Sequence, residues 1–146
     1  MVRFDSDFIY FLCALCGSAV IFFIIIFFIG IFNTLDSKEI AITCAKIADE
    51  KKALDIVILD VDKISSITDY FVICSAINDR QLHAIADDMD KEMKKLSISK
   101  LGMEGYREAK WVLIDYGDFI VHIFDKEIRS YYDLELLWGD APNVEW

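Results

Sequence analysis

Proline appears once in this 146-residue chain, at Pro142, and histidine only twice, at His83 and His122. With no internal repeat and no low-complexity linker, the length fits one domain plus an accessory segment. Two histidines without an H-x-x-x-H pair give no metal motif, since a metal site needs three or four convergent His, Cys, Asp or Glu ligands. Phosphate cradles of the G-x-x-x-x-G-K-[ST] and G-x-G-x-x-G types are missing, as is the G-x-S-x-G nucleophile elbow. No metal, no cofactor and no catalytic residue are therefore expected.

Basic residues are the minority, 15 against 25 acidic ones. With Arg3, Asp5 and Asp7 set aside, residues 36–146 carry 14 basic and 23 acidic side chains, a net of −9. Such a domain makes little direct contact with nucleic acid, because phosphate affinity depends on Lys and Arg. The partner it fits presents a basic surface. The four cysteines do not require an oxidising compartment. Cys13 and Cys16 form a C-x-x-C inside an apolar run, without the polar setting a thiolate needs, and Cys44 and Cys74 sit in apolar patterns expected of buried thiols.

Residues 8–32 are 25 consecutive uncharged and mostly apolar residues, long enough to cross a bilayer as a helix. The run is too long for a signal-peptide core, and no small-x-small cleavage site follows it. One reading is an N-terminal apolar helix that anchors the chain in a membrane. Lys38, Lys46, Lys51 and Lys52 on its C-terminal side then favour a domain facing the cytoplasm. The other reading is a misplaced start: the Phe- and Ile-rich composition fits translated AT-rich sequence, and Leu35 stands where an alternative start codon would open the domain. On both readings residues 1–35 are an extension outside the fold, the domain covers 36–140, and 141–146 form a tail.

From residue 36 the periodicity alternates between helix and strand. Asp36 with Glu39 has helix-start spacing, and Ile40, Ala41, Cys44, Ile47 and Ala48 then share one face of a helix ending near Lys52. Residues 55–61 are a nearly continuous apolar run, expected as a central strand covered on both sides. A polar connection leads to a second strand over residues 70–75. Asn78 and Gln81 stand at capping-box spacing before a helix to about Leu96, whose apolar face is Leu82, Ile85, Ala86, Met89, Met93 and Leu96. Residues 101–106 read as a loop. Trp111-Val112-Leu113-Ile114 and residues 119–124 then flank a turn at Asp115-Tyr116-Gly117-Asp118, as an antiparallel hairpin does. The pattern predicts a single α/β domain with a mixed four- to five-stranded sheet flanked by helices.

Chemistry concentrates in residues 111–138. Trp111, Tyr116, Phe124, Tyr131, Tyr132 and Trp138 exceed what one face of a hairpin can bury, and Arg129 stands among them. Trp, Tyr and Arg are the types that dominate binding hot spots. Alternation places His122 opposite Val121 and Ile123, and places Trp111 and Leu113 opposite Val112 and Ile114. The expected partner-binding neighbourhood is Trp111, Tyr116, His122, Phe124, Arg129, Tyr132 and Trp138, some of them supporting the rest. A second copy using the same aromatics would give a homodimer. The alternative is a phosphate-handling, nucleotidyltransferase-like enzyme in which Asp60 and Asp62 hold magnesium. It lacks the glycine turn that would cradle phosphates, because Ser75-Ala76-Ile77-Asn78 precedes the second helix.

Several segments carry a resemblance. They are residues 55–61, Ser65-Ser66-Ile67-Thr68-Asp69-Tyr70-Phe71-Val72-Ile73-Cys74, Arg80-Gln81, Ala84-Ile85-Ala86-Asp87 and Glu104-Gly105. They continue with residues 111–118, Val121-His122-Ile123-Phe124, Arg129-Ser130-Tyr131-Tyr132-Asp133-Leu134-Glu135 and Leu137-Trp138. In this order they resemble the ribosomal silencing factor (Iojap) family, over about 100 of the 146 residues. The resemblance implies a nucleotidyltransferase-like fold with no catalytic use. It also implies a cytoplasmic translational repressor. Family members bind the large ribosomal subunit through its protein fourteen (L-fourteen), block joining with the small subunit, and slow translation under nutrient limitation. Two departures stand out: Ala76-Ile77-Asn78 replaces a segment with Gly and Ser or Thr, and Leu136 stands where an Arg or Lys is common. Residues 1–35 lie outside the family pattern.

Overall fold

Side-chain caps set the starts of both long helices. The structure, a computed structural model, describes residues 36–146. The apolar helix expected within residues 8–32, with Cys13 and Cys16, lies outside them. Helix α1 (Ser37–Glu50) begins where Asp36 accepts the Lys38 amide, and buries Ile40, Ala41, Cys44, Ala45, Ile47 and Ala48. Helix α2 (Asp79–Lys95) begins at Asn78, whose side chain accepts the Gln81 amide at 2.8 Å. Gln81 Oε1 in return accepts the Ile77 amide at 2.8 Å, the reciprocal arrangement that the spacing predicts. The Gln81 side-chain amide also donates to the carbonyls of Lys51 and Lys52, 2.8 Å each, tying the end of α1 to the start of α2. Leu96, expected on the buried face of α2, falls at its C-cap and is exposed, because the chain turns away at Ser97 with φ +62°.

Five strands follow from the apolar runs: β1 (Leu54–Asp60), β2 (Tyr70–Ala76), β3 (Gly102–Glu104), β4 (Trp111–Asp115) and β5 (Phe119–Asp125). Their order is β1-β2-β5-β4-β3, with β2 and β5 parallel and the other pairs antiparallel. This is the mixed α/β sheet of a single domain. Strand β2 is an interior strand and almost wholly buried.

Two expectations need correction. Strand β1 is an edge strand rather than a central one, pairing only with β2 among the strands. Its apolar run is continuous because Ile58 and Leu59 face two separate cores. Its outer edge is closed as well: the Asp60 amide donates to Pro142 O at 2.9 Å and the Val144 amide to Ile58 O at 2.8 Å. Residues 142–144, within the stretch read as a tail, thus lie along the edge of β1. The second correction is β3, which replaces the expected loop and pairs with β4 through Met103↔Ile114. Three residues beginning with a glycine carry too little alternation to register as a strand.

The β4–β5 hairpin has the register Trp111↔Phe124, Leu113↔His122 and Ile114↔Val121. Its turn depends on Gly117, at φ +89°, whose amide donates to Asp115 Oδ1 at 2.8 Å. Helices α1 and α2 cover the sheet face bearing Val72, Cys74, Val112, Ile114, Val121 and Ile123. The opposite face carries Leu59, Phe71, Ile73 and Phe124, partly covered by two short helices, α3 (Lys126–Tyr132) and α4 (Leu134–Leu137). Among the described residues, no helix is long and apolar enough to cross a membrane.

Candidate functional site

Strand alternation sends Trp111, His122 and Phe124 to the face away from α1 and α2, where they form one aromatic cluster. Trp111 stacks on Phe124 with centroids 4.9 Å apart and contacts Tyr132 at 4.9 Å. Phe71 on β2 meets His122 edge-on at 5.2 Å and Trp138 at 5.2 Å. The indole N–H of Trp111 donates to His122 Nδ1 at 3.2 Å, which places the imidazole proton on Nε2. His122 is 6% exposed, and burial holds its pKa down at about 4, so the ring is neutral at pH 7. His83, the other histidine, is structural: its Nε2 contacts the Tyr106 carbonyl at 2.7 Å.

The residues expected to bind a partner separate into three groups. Tyr116 is not in this cluster. It lies on the opposite face, stacked on Phe119 at 4.8 Å in the core under the long helices, and burial raises its phenol pKa. His122 and Phe124 are buried and form the floor of the cluster, while Trp111 and Trp138 are partly buried. Only Tyr132, 48% exposed, stands out from the floor. Arg129 turns inward: its Nη1 donates to Ser75 Oγ at 2.9 Å, and its Nε and Nη2 both donate to Glu135 Oε1.

Sequence reasoning missed the residues beside Tyr132 that do face outward. Tyr131, Leu136 and Leu137 on α3 and α4 are 81%, 76% and 73% exposed. A signal was available for the first. Adjacent residues on a helix point about 100° apart, so Tyr131 and Tyr132 cannot both lie on the sheet. Tyr131, Tyr132, Leu136 and Leu137 make an apolar rim on a domain of net charge −9. The two short helices and their flanks carry Lys126 and Arg129 against Glu127, Asp133, Glu135 and Asp140, a local excess of acid. A rim of this kind fits contact with another macromolecule better than small-molecule chemistry.

Asp60 and Asp62 occupy different ground. Asp60 Oδ1 accepts the Asp62 amide at 3.3 Å, a local turn at the end of β1. They crowd Asp69, whose pKa is raised first by desolvation and then by Asp62, Asp118 and Asp60. The start of α2, where a phosphate cradle would sit, follows the far end of β2, since Asp60 pairs with Tyr70. At about 3.3 Å per residue, that separates the two features by roughly 20 Å. Among the described residues, no three His, Cys, Asp or Glu side chains converge as a metal site requires.

Comparison with known proteins places the chain in a family. The family described as "Ribosomal silencing factor during starvation" matches residues 34–146. Ribosomal silencing factor RsfS of Bacillus subtilis is 46% identical over 111 residues, covering 76% of this chain and 94% of that protein. A crystal structure of a Chromobacterium violaceum protein superposes with a TM-score of 0.70 at 31% identity, over 72% of this chain and 88% of that one. A mouse relative named "Mitochondrial assembly of ribosomal large subunit protein 1" is 35% identical over 92 residues, 61% of this chain and 40% of that protein. With a family match covering every described residue and a relative 46% identical over 94% of its length, the chain belongs to the ribosomal silencing factor (Iojap) family.

Proposed function

We propose that this domain represses translation in the cytoplasm by binding the large ribosomal subunit through a basic protein on its joining face, large-subunit protein fourteen (L-fourteen). Bound there, it keeps the small subunit away by steric block and slows protein synthesis under nutrient limitation. No bond is made or broken, so the action is stoichiometric rather than enzymatic. The observation that carries this reading is the rim of Tyr131, Tyr132, Leu136 and Leu137, with Trp111 behind it, on a domain of net charge −9. Apolar anchors supply affinity, and the surrounding carboxylates steer a basic partner and disfavour exposed ribosomal RNA. The mouse relative's name, which refers to the ribosomal large subunit, supports the choice of subunit. A second copy docking on the same rim would compete with the ribosome, so a homodimer would be an idle form.

Light scattering of purified small and large subunits tests the reading. Stoichiometric protein, added to large subunits first, should lower the amplitude of subunit association. Full association in the presence of a several-fold excess would rule the steric block out.

A further inference from the structure

The aromatic and aliphatic side chains of the rim stand on helices that cannot hold themselves. Helix α3 has seven residues and α4 four, both far below the length at which an isolated helix persists in water. Neither contains a fully buried residue, and their apolar hold on the sheet is the partial burial of Ile128 and Leu134 and the contact of Tyr132 with Trp111. They meet at Asp133, a non-glycine residue at φ +42° and ψ +60°. An Asp tolerates the left-handed region better than most residues, but the joint by itself leaves the angle to the contacts around it. Something must therefore set the angle between α3 and α4.

Arg129 is the side chain placed to do so. It lies on α3, its side chain only 12% exposed, and its fork reaches α4 and the sheet at once. Nε and Nη2 donate to Glu135 Oε1 on α4, and Nη1 donates to Ser75 Oγ at 2.9 Å on β2. Ser75 is a rigid anchor, 1% exposed in an interior strand, and it pairs in register with Phe124, the residue on which Trp111 stacks. One planar guanidinium thus refers both short helices to the strand pair that carries the aromatic floor. A lysine would keep the charge but not the fork.

We infer that Arg129 is a positioning residue. With Glu135 and Ser75 it forms a latch that holds Tyr132 against Trp111 and Trp138 against Phe71, and so sets the shape of the rim. This rests on the reading of the rim as the docking surface. The latch itself makes no contact with the partner. Its effect is transmitted through Tyr132, Leu136 and Leu137.

The test uses the full chain with Arg129→Lys, Ser75→Ala and the double variant. Three readouts are compared: urea stability, near-ultraviolet circular dichroism of the aromatic cluster, and cosedimentation with large ribosomal subunits. The latch predicts that Arg129→Lys still unfolds cooperatively but loses part of the aromatic dichroism, with subunit affinity falling about tenfold. Ser75→Ala should shift both signals the same way, and the double variant should be no worse than Arg129→Lys alone, because both remove one device. Unchanged dichroism in both single variants overturns the latch, whatever happens to affinity; lost affinity with unchanged dichroism would make Arg129 a direct contact. Should the unmodified chain fail to bind large subunits, the docking reading fails, and the dichroism still decides the latch.

Discussion

The indole N–H of Trp111 donates to His122 Nδ1 across the β4–β5 ladder, 3.2 Å apart, while Nε2 of the same imidazole is buried without a partner. The bond fixes the tautomer, while burial keeps the ring neutral and couples the stability of the aromatic cluster to pH.

Burial lowers the His122 pKa from its ordinary 6.5 to about 4. As pH falls through 6.5, unfolded chains take up a proton that the folded ring refuses until about pH 4. The contribution of His122 to stability is thus complete above 6.5 and lost between 6.5 and 4, by about 3 kcal/mol in all. His122→Phe should be less stable than the parent at pH 7, because Trp111 loses its acceptor, and the gap should close by about that amount at pH 4. Urea unfolding of both proteins across this range checks it, and parallel pH profiles would refute it.

Two glycines, one opening β3 and one just after it, should respond very differently. Gly105 sits at φ +73°, and a Cβ there would lie 1.9 Å from Trp111 O, whereas at Gly102 nothing lies within 4 Å. Gly105→Ala should cost at least about 3 kcal/mol and disturb the start of β4. Gly102→Ala should stay within about 1 kcal/mol of the parent. Thermal or urea unfolding separates the two.

The buried thiols Cys44 and Cys74 should be inert while the domain is folded. Burial pushes both pKa values to about 12, so almost no thiolate exists at pH 8. Peptide-resolved mass spectrometry after maleimide treatment should show both cysteines unmodified in native protein and modified in urea. Labelling without denaturant would contradict their placement in the core between α1 and the sheet.

How far the sequence carries depends on the range of the interactions. Helix α2 was legible because Asn78 and Gln81 are three residues apart and its apolar positions recur at helical spacing. The sides of the hairpin were legible too, since alternation alone separates Trp111 from Val112. Strand β1 misled because a continuous apolar run records burial on both faces and says nothing about neighbours. Residues 142–144, which close its edge, come more than 80 positions later. Arg129 reads as a hot spot by type and company, but its inward direction follows from Ser75, 54 residues earlier, and from Glu135 across a left-handed joint that no local pattern announces.

That closure gives another expectation. Ending the chain after Asp140 removes the Asp60–Pro142 and Val144–Ile58 hydrogen bonds and the buried Ala141 side chain. The loss should be about 2–3 kcal/mol, at roughly 1 kcal/mol per hydrogen bond plus the apolar contact. It would also expose the β1 edge to pairing with other chains. Urea unfolding and concentration-dependent light scattering report the two effects separately.

Docking through the rim is read most directly by cosedimentation of the chain with purified large ribosomal subunits, comparing the parent with Tyr132→Ala and Leu136→Ser. Both positions are exposed, so both variants should remain folded. The parent should pellet with large subunits, and each substitution should weaken binding by about 1–3 kcal/mol, roughly 5- to 150-fold. A parent that stays in the supernatant, or two variants that bind as tightly as the parent, would contradict docking through this rim.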